Sequence, residues 1–178
     1  MTMFDNSTFD VQMAITIRLA TRADLPKLEW YGQYTHYRTM YRRTYHEQQE
    51  GNRLMLVADC RGFPIGQLFV QLRSSESRMA QTGQRAYLYA LRVMEMFQGS
   101  GIGTRLLAEA EALVKDRHYC LTTIAAAKDN PKARRLYERL GYRIFAEDDG
   151  RWSYRDHRNV VQYVDEPCWL LEKRLIMR

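Results

Sequence analysis

Apolar and polar side chains alternate through Ala14-Ile15-Thr16-Ile17-Arg18-Leu19, the period of two that a half-buried strand requires. Thr21 is placed to cap a following helix near Asp24-Leu25-Pro26, with Pro26 in the first turn, where a missing N–H costs little. Helical character resumes over residues 34–49, rich in Tyr, His and Arg. Residues 53–59 and 65–72 are apolar runs joined by Cys60-Arg61-Gly62-Phe63-Pro64, which predicts an antiparallel hairpin. A polar connector over 74–84 leads to a strand at 85–94, a glycine-rich turn and a helix to about Arg117. In that helix Ile102, Leu106, Ala110, Leu113 and Val114 recur at steps of three and four and form one buried face. Lys115, Arg117 and His118 close it at the negative end of its dipole. Residues 121–127 read as a fifth strand. Asn130 then caps a shorter helix with Pro131 at its first position, and Gly141 ends it. Two last strands, 142–145 and 168–175, flank a polar segment over 146–166 that predicts irregular structure.

Size and composition narrow the class. With 178 residues the chain suits one domain with a sizeable core, and 46% hydrophobic with 27% charged residues is the balance of a folded globular protein. Residues 1–13 read as a flexible polar leader ahead of a domain spanning 14–178. No apolar run approaches the roughly 20 residues that span a bilayer, so no membrane partner is expected. Cys60, Cys120 and Cys168 show no pairing pattern and suit reduced thiols in the cytoplasm. His36, His46, His118 and His157 are scattered without HxH or HExxH spacing, so no metal is expected. The net charge of +6 favours an anionic partner without saying which.

The segment Gln98-Gly99-Ser100-Gly101-Ile102-Gly103-Thr104 carries the sharpest chemistry. A strand running through glycines into a helix aims several N–H groups at one point, where the helix dipole adds to their attraction for phosphate or pyrophosphate. A phosphate-binding P-loop is excluded because no Gly-Lys-Ser or Gly-Lys-Thr follows. A dinucleotide fingerprint fails because the glycines fall at every second position and no acid ends the next strand. A serine-hydrolase elbow fails because Gln98 stands where its first glycine belongs.

Two motifs carry a resemblance. Gln98-Gly99-Ser100-Gly101-Ile102-Gly103 resembles the Q/R-x-x-G-x-G/A signature of the GNAT superfamily of N-acetyltransferases, preceded by the strand Leu91-Arg92-Val93. The run from Asn130 to Tyr142, with Ala133, Tyr137 and Gly141, is similar to that family's N-x-x-A-x-x-x-Y-x-x-x-G-F/Y hallmark. The resemblance extends over residues 14–175. It implies an α/β (α+β) fold with a central, mixed, mostly antiparallel sheet of about seven strands, flanked by helices and splayed between strands four and five. It further implies acetyl-coenzyme A as co-substrate and direct transfer of the acetyl group to the amine of a small molecule or protein, with a homodimer as a common assembly.

By the same carry-over, the main chains of Leu91 and Val93 hold the pantetheine arm, and Gln98, Gly99, Ser100, Gly101, Ile102, Gly103 and Thr104 hold the pyrophosphate. Asn130 and Ala133 line the arm, with the Asn130 side chain on one of its amides. Tyr137 also lines it and is the acid that protonates the departing thiolate. The resemblance puts a glutamate on the fourth strand of many relatives, but Arg85-Ala86-Tyr87-Leu88-Tyr89-Ala90-Leu91 has no carboxylate. A water relay through Tyr87 or Tyr89 is the expectation in its place, since Glu95 lies too near the turn. Tyr34, Tyr37, Tyr41 and Tyr45 with Arg38, Arg42 and Arg43 form either part of the acceptor wall or an amphipathic helix with aromatics inward. Glu147, Asp148 and Asp149 read as an acidic turn. Two rivals stand beside transfer: a silent coenzyme-binding module, and nucleic-acid binding through Lys132, Arg134, Arg135 and Arg139, which the resemblance disfavours.

Overall fold

The computed structural model describes residues 8–74, 79–81 and 84–176. Most of the expected polar connector, residues 75–78 and 82–83, lies outside them, as do residues 1–7 of the expected leader. Nine strands and three helices follow in order: β1 (Thr16–Leu19), α1 (Arg38–Gln49), β2 (Arg53–Cys60), β3 (Phe63–Gln71), β4 (Arg85–Val93), α2 (Ile102–Lys115), β5 (Leu121–Ala127), α3 (Pro131–Arg139), β6 (Arg143–Asp148), β7 (Arg151–Arg155), β8 (Val161–Asp165) and β9 (Cys168–Arg174). Seven strands form one sheet in the order β1-β2-β3-β4-β5-β9-β6, and β7 and β8 pair separately. Among the described residues only β4 and β5 run parallel, and every other strand pair is antiparallel.

The elements depart from the periodicity in two places. The first expected helix breaks into short 3-10 turns at Arg22–Asp24 and Lys27–Glu29, and the expected helical stretch over 34–49 opens with another at Thr35–Tyr37 before α1 begins. Trp30, Tyr31 and Gly32 all take positive φ between these turns, which no continuous helix tolerates. The expected irregular segment is corrected as well, because residues 151–165 hold the β7–β8 hairpin. Elsewhere the hairpin of β2 and β3 closes through Arg61 and Gly62, both at positive φ, the geometry of a tight two-residue turn.

Apolar residues cover both faces of the sheet. On one face Leu54, Leu56, Leu68, Val70 and Leu88 pack against Ile102, Leu106, Leu107, Ala110 and Val114 of α2 and Tyr137 of α3. On the other, Met55, Val57 and Phe69 pack against Leu28 and Tyr41 of the 22–49 region. Polar anchors fix the covering segments. Arg18 pairs with Asp24 at 2.7 Å and with Asp59 at 3.1 Å, and Asp24 also accepts the Thr21 N–H. Tyr142 donates to Glu111, which holds Lys173 at 2.6 Å, so α2, β9 and the start of β6 are tied together.

Strand β4 carries the decisive irregularity. Gln67 faces Arg92 and Phe69 faces Tyr89, so β4 has one residue more than β3 across this stretch, and Ala90 takes a φ of 55° to accommodate it. Beyond this bulge β4 and β5 part. Their parallel ladder joins residues 85–88 to 121–124 and goes no further, while β4 stays on β3 as far as Val93 and β5 stays on β9 as far as Ala127. A fork therefore opens in the sheet, as expected between strands four and five.

The β7–β8 hairpin lies against the 22–49 region. Thr39 Oγ1 donates to the Asp156 carbonyl at 3.0 Å, and the Tyr37 and Tyr154 rings lie 5.0 Å apart. Gly150 sets how the hairpin leaves the sheet: its φ is +64°, and a Cβ there would stand 1.8 Å from the Glu166 carbonyl oxygen. Gly150→Ala is expected to lower the thermal midpoint by roughly 5 °C or more, from a backbone cost above about 2 kcal/mol. A melt followed by circular dichroism and tryptophan fluorescence checks this, and an unchanged midpoint contradicts the assigned geometry.

Candidate functional site

Parallel strands end on the same side of a sheet, so the helices that follow them begin there together. Val93 ends β4 and Ile102 starts α2; Ala127 ends β5 and Pro131 starts α3. The fork thus opens toward two helix N-termini, each carrying unpaired N–H groups and the positive end of its dipole. Two motifs about thirty residues apart in sequence become one site through this topology.

The turn ahead of α2 has the form its glycines predict. Gly99 and Gly101 take φ of 79° and 84°, and a side chain at either would meet nothing within 4 Å, so conformation rather than crowding calls for glycine there. The first bond of the helix runs from the Arg105 N–H to the Gly101 carbonyl at 3.0 Å. Among the described residues no backbone or side-chain acceptor takes the N–H groups of Gly99, Ser100, Gly101, Ile102, Gly103 or Thr104. Consecutive free amides around left-handed residues make a concave cradle for an anion. Side chains brace it: Gln98 Nε2 donates to the Val93 carbonyl at 3.0 Å and Ser100 Oγ to the Phe97 carbonyl at 2.5 Å. Ile102 is 5% exposed and anchors the helix start in the core. Gly66 on β3 lies under it, where a Cβ would come within 3.2 Å of Ile102. These residues fit a diphosphate.

Leu91 and Val93 lie on the splayed half of β4, with their side chains against the core. On the β5 side, Asn130 caps α3, its Oδ1 accepting the Ala133 N–H at 3.1 Å. Its Nδ2 remains a free donor. Ala133 packs half-buried on the core, and Tyr137 sits one turn further along at 5% exposure. Burial pushes the Tyr137 phenol up to about 12, and its hydroxyl makes no hydrogen bond to a described residue. The Tyr137 ring is part of the core, 6.1 Å from the Tyr142 ring.

Other candidates resolve differently. Tyr87 and Tyr89 stack at 5.4 Å on the face of β4 toward α1, and burial raises both phenols above the ordinary tyrosine range. The Tyr89 hydroxyl accepts from Arg53 Nη1 at 2.5 Å, and Arg53 is paired with Glu47. Neither phenol is a base near neutrality; each can only pass a hydrogen bond. Glu95 is exposed at the start of a 3-10 turn. The expected acidic turn is corrected: Glu147 and Asp148 end β6, where Glu147 pairs with Lys128, and the turn begins only after them, where Asp148 and Asp149 accept the N–H groups of Gly150 and Arg151. In the basic run of α3, Arg134 pairs with Glu138 and lies over Trp169, leaving Lys132, Arg135 and Arg139 on the exposed face. Tyr34, Tyr37 and Tyr45 pack against the core beside Tyr41, Arg38 is taken by Glu29, and Arg42 and Arg43 face outward.

Sequence reasoning missed Trp152 and Tyr154, whose rings lie 5.4 Å apart on the hairpin, and it missed Arg92. The alternation Trp152-Ser153-Tyr154 was a usable strand signal. Arg92 offered none, since the residues around it come from a segment some fifty positions earlier in the chain.

A mixed sheet forked between its two parallel strands, with an amide cradle at the mouth of the fork, defines a class of folds that grip a phosphate-bearing arm along a sheet edge. The model of the Acetyltransferase (GNAT) family matches residues 20–142, and the chain belongs to that family. Its fold is similar to that of Ard1 from Thermoplasma volcanium, at 17% identity and a TM-score of 0.70 over 92% of this chain and 99% of that one. It is also similar to Arabidopsis thaliana NAA60, solved with a bisubstrate analogue, at 17% identity and a TM-score of 0.69 over 93% and 100% of the two chains. In sequence it is 31% identical over 74 residues to the thialysine N-epsilon-acetyltransferase of Mus musculus, covering 42% of this chain. The match spans 44% of that relative's length. No helix among the described residues is long and apolar enough to cross a membrane.

Gly101→Ala is expected to weaken binding of coenzyme A about tenfold, because a β-carbon resists the left-handed conformation by about 1–2 kcal/mol and the cradle N–H groups turn with it. Calorimetry reads the affinity and a thermal melt verifies the fold. Equal affinity in the two proteins would show that the cradle plays no part in binding.

Proposed function

We propose that this protein is an N-acetyltransferase that moves the acetyl group of acetyl-coenzyme A to a primary amine by direct attack while both substrates are bound. The observation that carries the reading is the fork: an open strand edge at residues 89–93 ends at a turn whose consecutive N–H groups have no acceptor among the described residues. A long amide-bearing arm with a diphosphate at its end satisfies both, the arm along the edge as an added strand and the diphosphate in the cradle.

The roles follow from position. Main-chain groups of Leu91 and Val93 pair with the arm, residues 98–104 hold the diphosphate, and Asn130 Nδ2 donates to an arm carbonyl while its Oδ1 keeps the helix capped. Ala133 leaves room beside the arm. Lys132, Arg135 and Arg139 supply positive charge near the mouth of the fork for a further phosphate. The bound co-substrate supplies an activated thioester. An amine with an ordinary pKa of about 10.4 must first lose a proton, and water passing along the Tyr87 and Tyr89 hydroxyls removes it. A free N–H on the bulged strand stabilises charge on the thioester oxygen; as the C–S bond breaks Tyr137 gives its proton to the leaving sulfur, and the proton that the attacking nitrogen sheds on becoming an amide goes to water, which reprotonates Tyr137. The three cysteines, none in a disulfide among the described residues, suit a reducing, cytosolic setting, and a homodimer is compatible with the exposed outer strand β6. The mouse relative is named for acetyl transfer to the N-epsilon of thialysine, which supports a small-molecule amine as acceptor here.

A screen of amine acceptors with acetyl-coenzyme A, following released thiol, tests the activity, and no thiol above the hydrolysis background with any amine counts against it. Tyr137→Phe is expected to lower kcat by about a hundredfold, the usual worth of a positioned acid. Unchanged turnover removes that assignment. The raised phenol pKa of about 12 means that Tyr137 stays protonated as pH rises past the ordinary tyrosine value of about 10, so the wild-type rate is expected to hold through that region rather than fall. A pH profile of kcat from 6 to about 10.5 reads this directly.

A further inference from the structure

Arg92 is the least satisfied charged group at the fork. It follows the bulge on β4, opposite Gln67, and faces α1 rather than α2. A guanidinium carries five N–H donors, yet Arg92 forms no hydrogen bond and no ion pair with any described residue, and its Nη1 is buried without a partner. Two tyrosines hold it: its Cζ lies 4.6 Å from the Tyr34 ring centre and 4.8 Å from that of Tyr37, and those rings are within 12° of parallel. Beside it the Tyr41 hydroxyl lies buried near the Gln67 amide without closing a well-formed hydrogen bond, while Gln67 Nε2 is spent on the Ala90 carbonyl at 3.2 Å.

Asp156, whose charge reaches His36 and Tyr154 as that of Arg92 does, is committed elsewhere. Asp156 takes the Arg158 and Val160 N–H groups at 2.8 and 3.0 Å on one oxygen and Gln162 at 2.9 Å on the other. Burial, with the charges of Arg92 and His157 after it, holds His36 below its ordinary pKa, so that ring adds no competing anion or lasting cation. A half-buried cation with its donors unused is costly unless something outside the chain completes it. Aromatic faces keep a guanidinium flat and aimed, which prepares it for a planar, two-oxygen anion.

We infer that Arg92, held over Tyr34 and Tyr37, binds a carboxylate on the amine acceptor, so that the preferred acceptors are amino acids or similar small molecules bearing both an amine and a carboxylate. This rests on the acetyl-transfer reading, in which the co-substrate enters from the α2 and α3 face and leaves the α1 and β7 face to the acceptor. Arg92 stands between the two residues assigned to the arm, and at about 3.3 Å per residue its side chain is within a few bonds' reach of an amine attacking near the bulge. Tyr37, Tyr154 and His36 close the wall around that position, with the Tyr154 ring 6.3 Å from His36.

Matched pairs that differ only in the carboxylate test this. Lysine against cadaverine, and ornithine against putrescine, are titrated into the protein loaded with coenzyme A, with intrinsic fluorescence from Trp152 beside Tyr154 and calorimetry as readouts. The carboxylate-bearing member is expected to bind about ten- to a hundredfold more tightly, the worth of a charge-assisted pair. In Arg92→Gln that preference falls to near unity, and Arg92→Lys restores part of it. A set in which no carboxylate improves binding, including one in which neither member binds, overturns the inference, as does an Arg92→Gln protein that keeps the preference. Coenzyme A binding is measured in the same proteins. Its presence without a carboxylate preference sinks the inference alone; its absence in the wild type sinks the acetyl-transfer reading as well.

Discussion

Everything at the site depends on β4 and β5 each staying with its outer neighbour. Four residue pairs join them, 85–88 to 121–124, and then β4 follows β3 while β5 follows β9 along its whole length. The extra residue in β4 turns the strand, and the left-handed Ala90 meets a cost of about 1–2 kcal/mol that its carbonyl partly recovers from the buried Gln67 amide. Without the bulge the two strands would zip together and each would satisfy the other's backbone. With it, a strand edge is left unpaired inside the sheet, where an amide-bearing arm can complete the ladder.

The same fork explains why two distant sequence motifs belong to one site. Parallel pairing obliges the chain to cross over through α2, and it sends α2 and α3 off from the same end of the sheet. One N-terminus offers a glycine cradle with its amides free; the other offers Asn130, whose oxygen caps the helix while its nitrogen looks outward. The helices are fixed by burial, Ile102 and Leu106 on one side and Tyr137 on the other, so the amides are preorganised by the core rather than by a ligand.

Much of this was legible because it is local. Glycines that need a positive φ, an Asn-Pro helix start, the apolar stripe of α2 and the alternation of the strands are each decided within a few residues, and each is found where the pattern put it. What failed was decided at longer range. The 22–37 stretch has a helix-compatible composition, but packing Leu28 and Trp30 under the sheet breaks it into 3-10 turns. Within the 146–166 segment, residues 146–148 extend β6 of the main sheet, while 151–165, too polar for a core strand, form a hairpin that rests on the 22–49 region. Arg92 was invisible because a lone arginine in a strand carries no pattern; its meaning comes from Tyr34 and Tyr37, brought to it by tertiary structure alone.

The absence of a carboxylate from the β4 stretch at the fork then takes on a physical sense. In the proposed reading, an amine entering on the α1 face meets a partly desolvated wall of tyrosines and, through Arg92, positive charge. Burial and a like charge both disfavour an ammonium, so both lower its pKa and favour the neutral amine that attack requires. A glutamate there would do the opposite, holding the proton on the amine unless it took the proton itself. A carboxylate on the acceptor reconciles the two demands. It provides the attraction that brings a cationic molecule into a cationic pocket, and by pairing with Arg92 it does so at a point away from the reacting nitrogen. In the proposed mechanism recognition is thereby separated from deprotonation, and the part assigned to the phenols of Tyr87 and Tyr89, raised by burial and fixed by stacking, is only to conduct the proton outward.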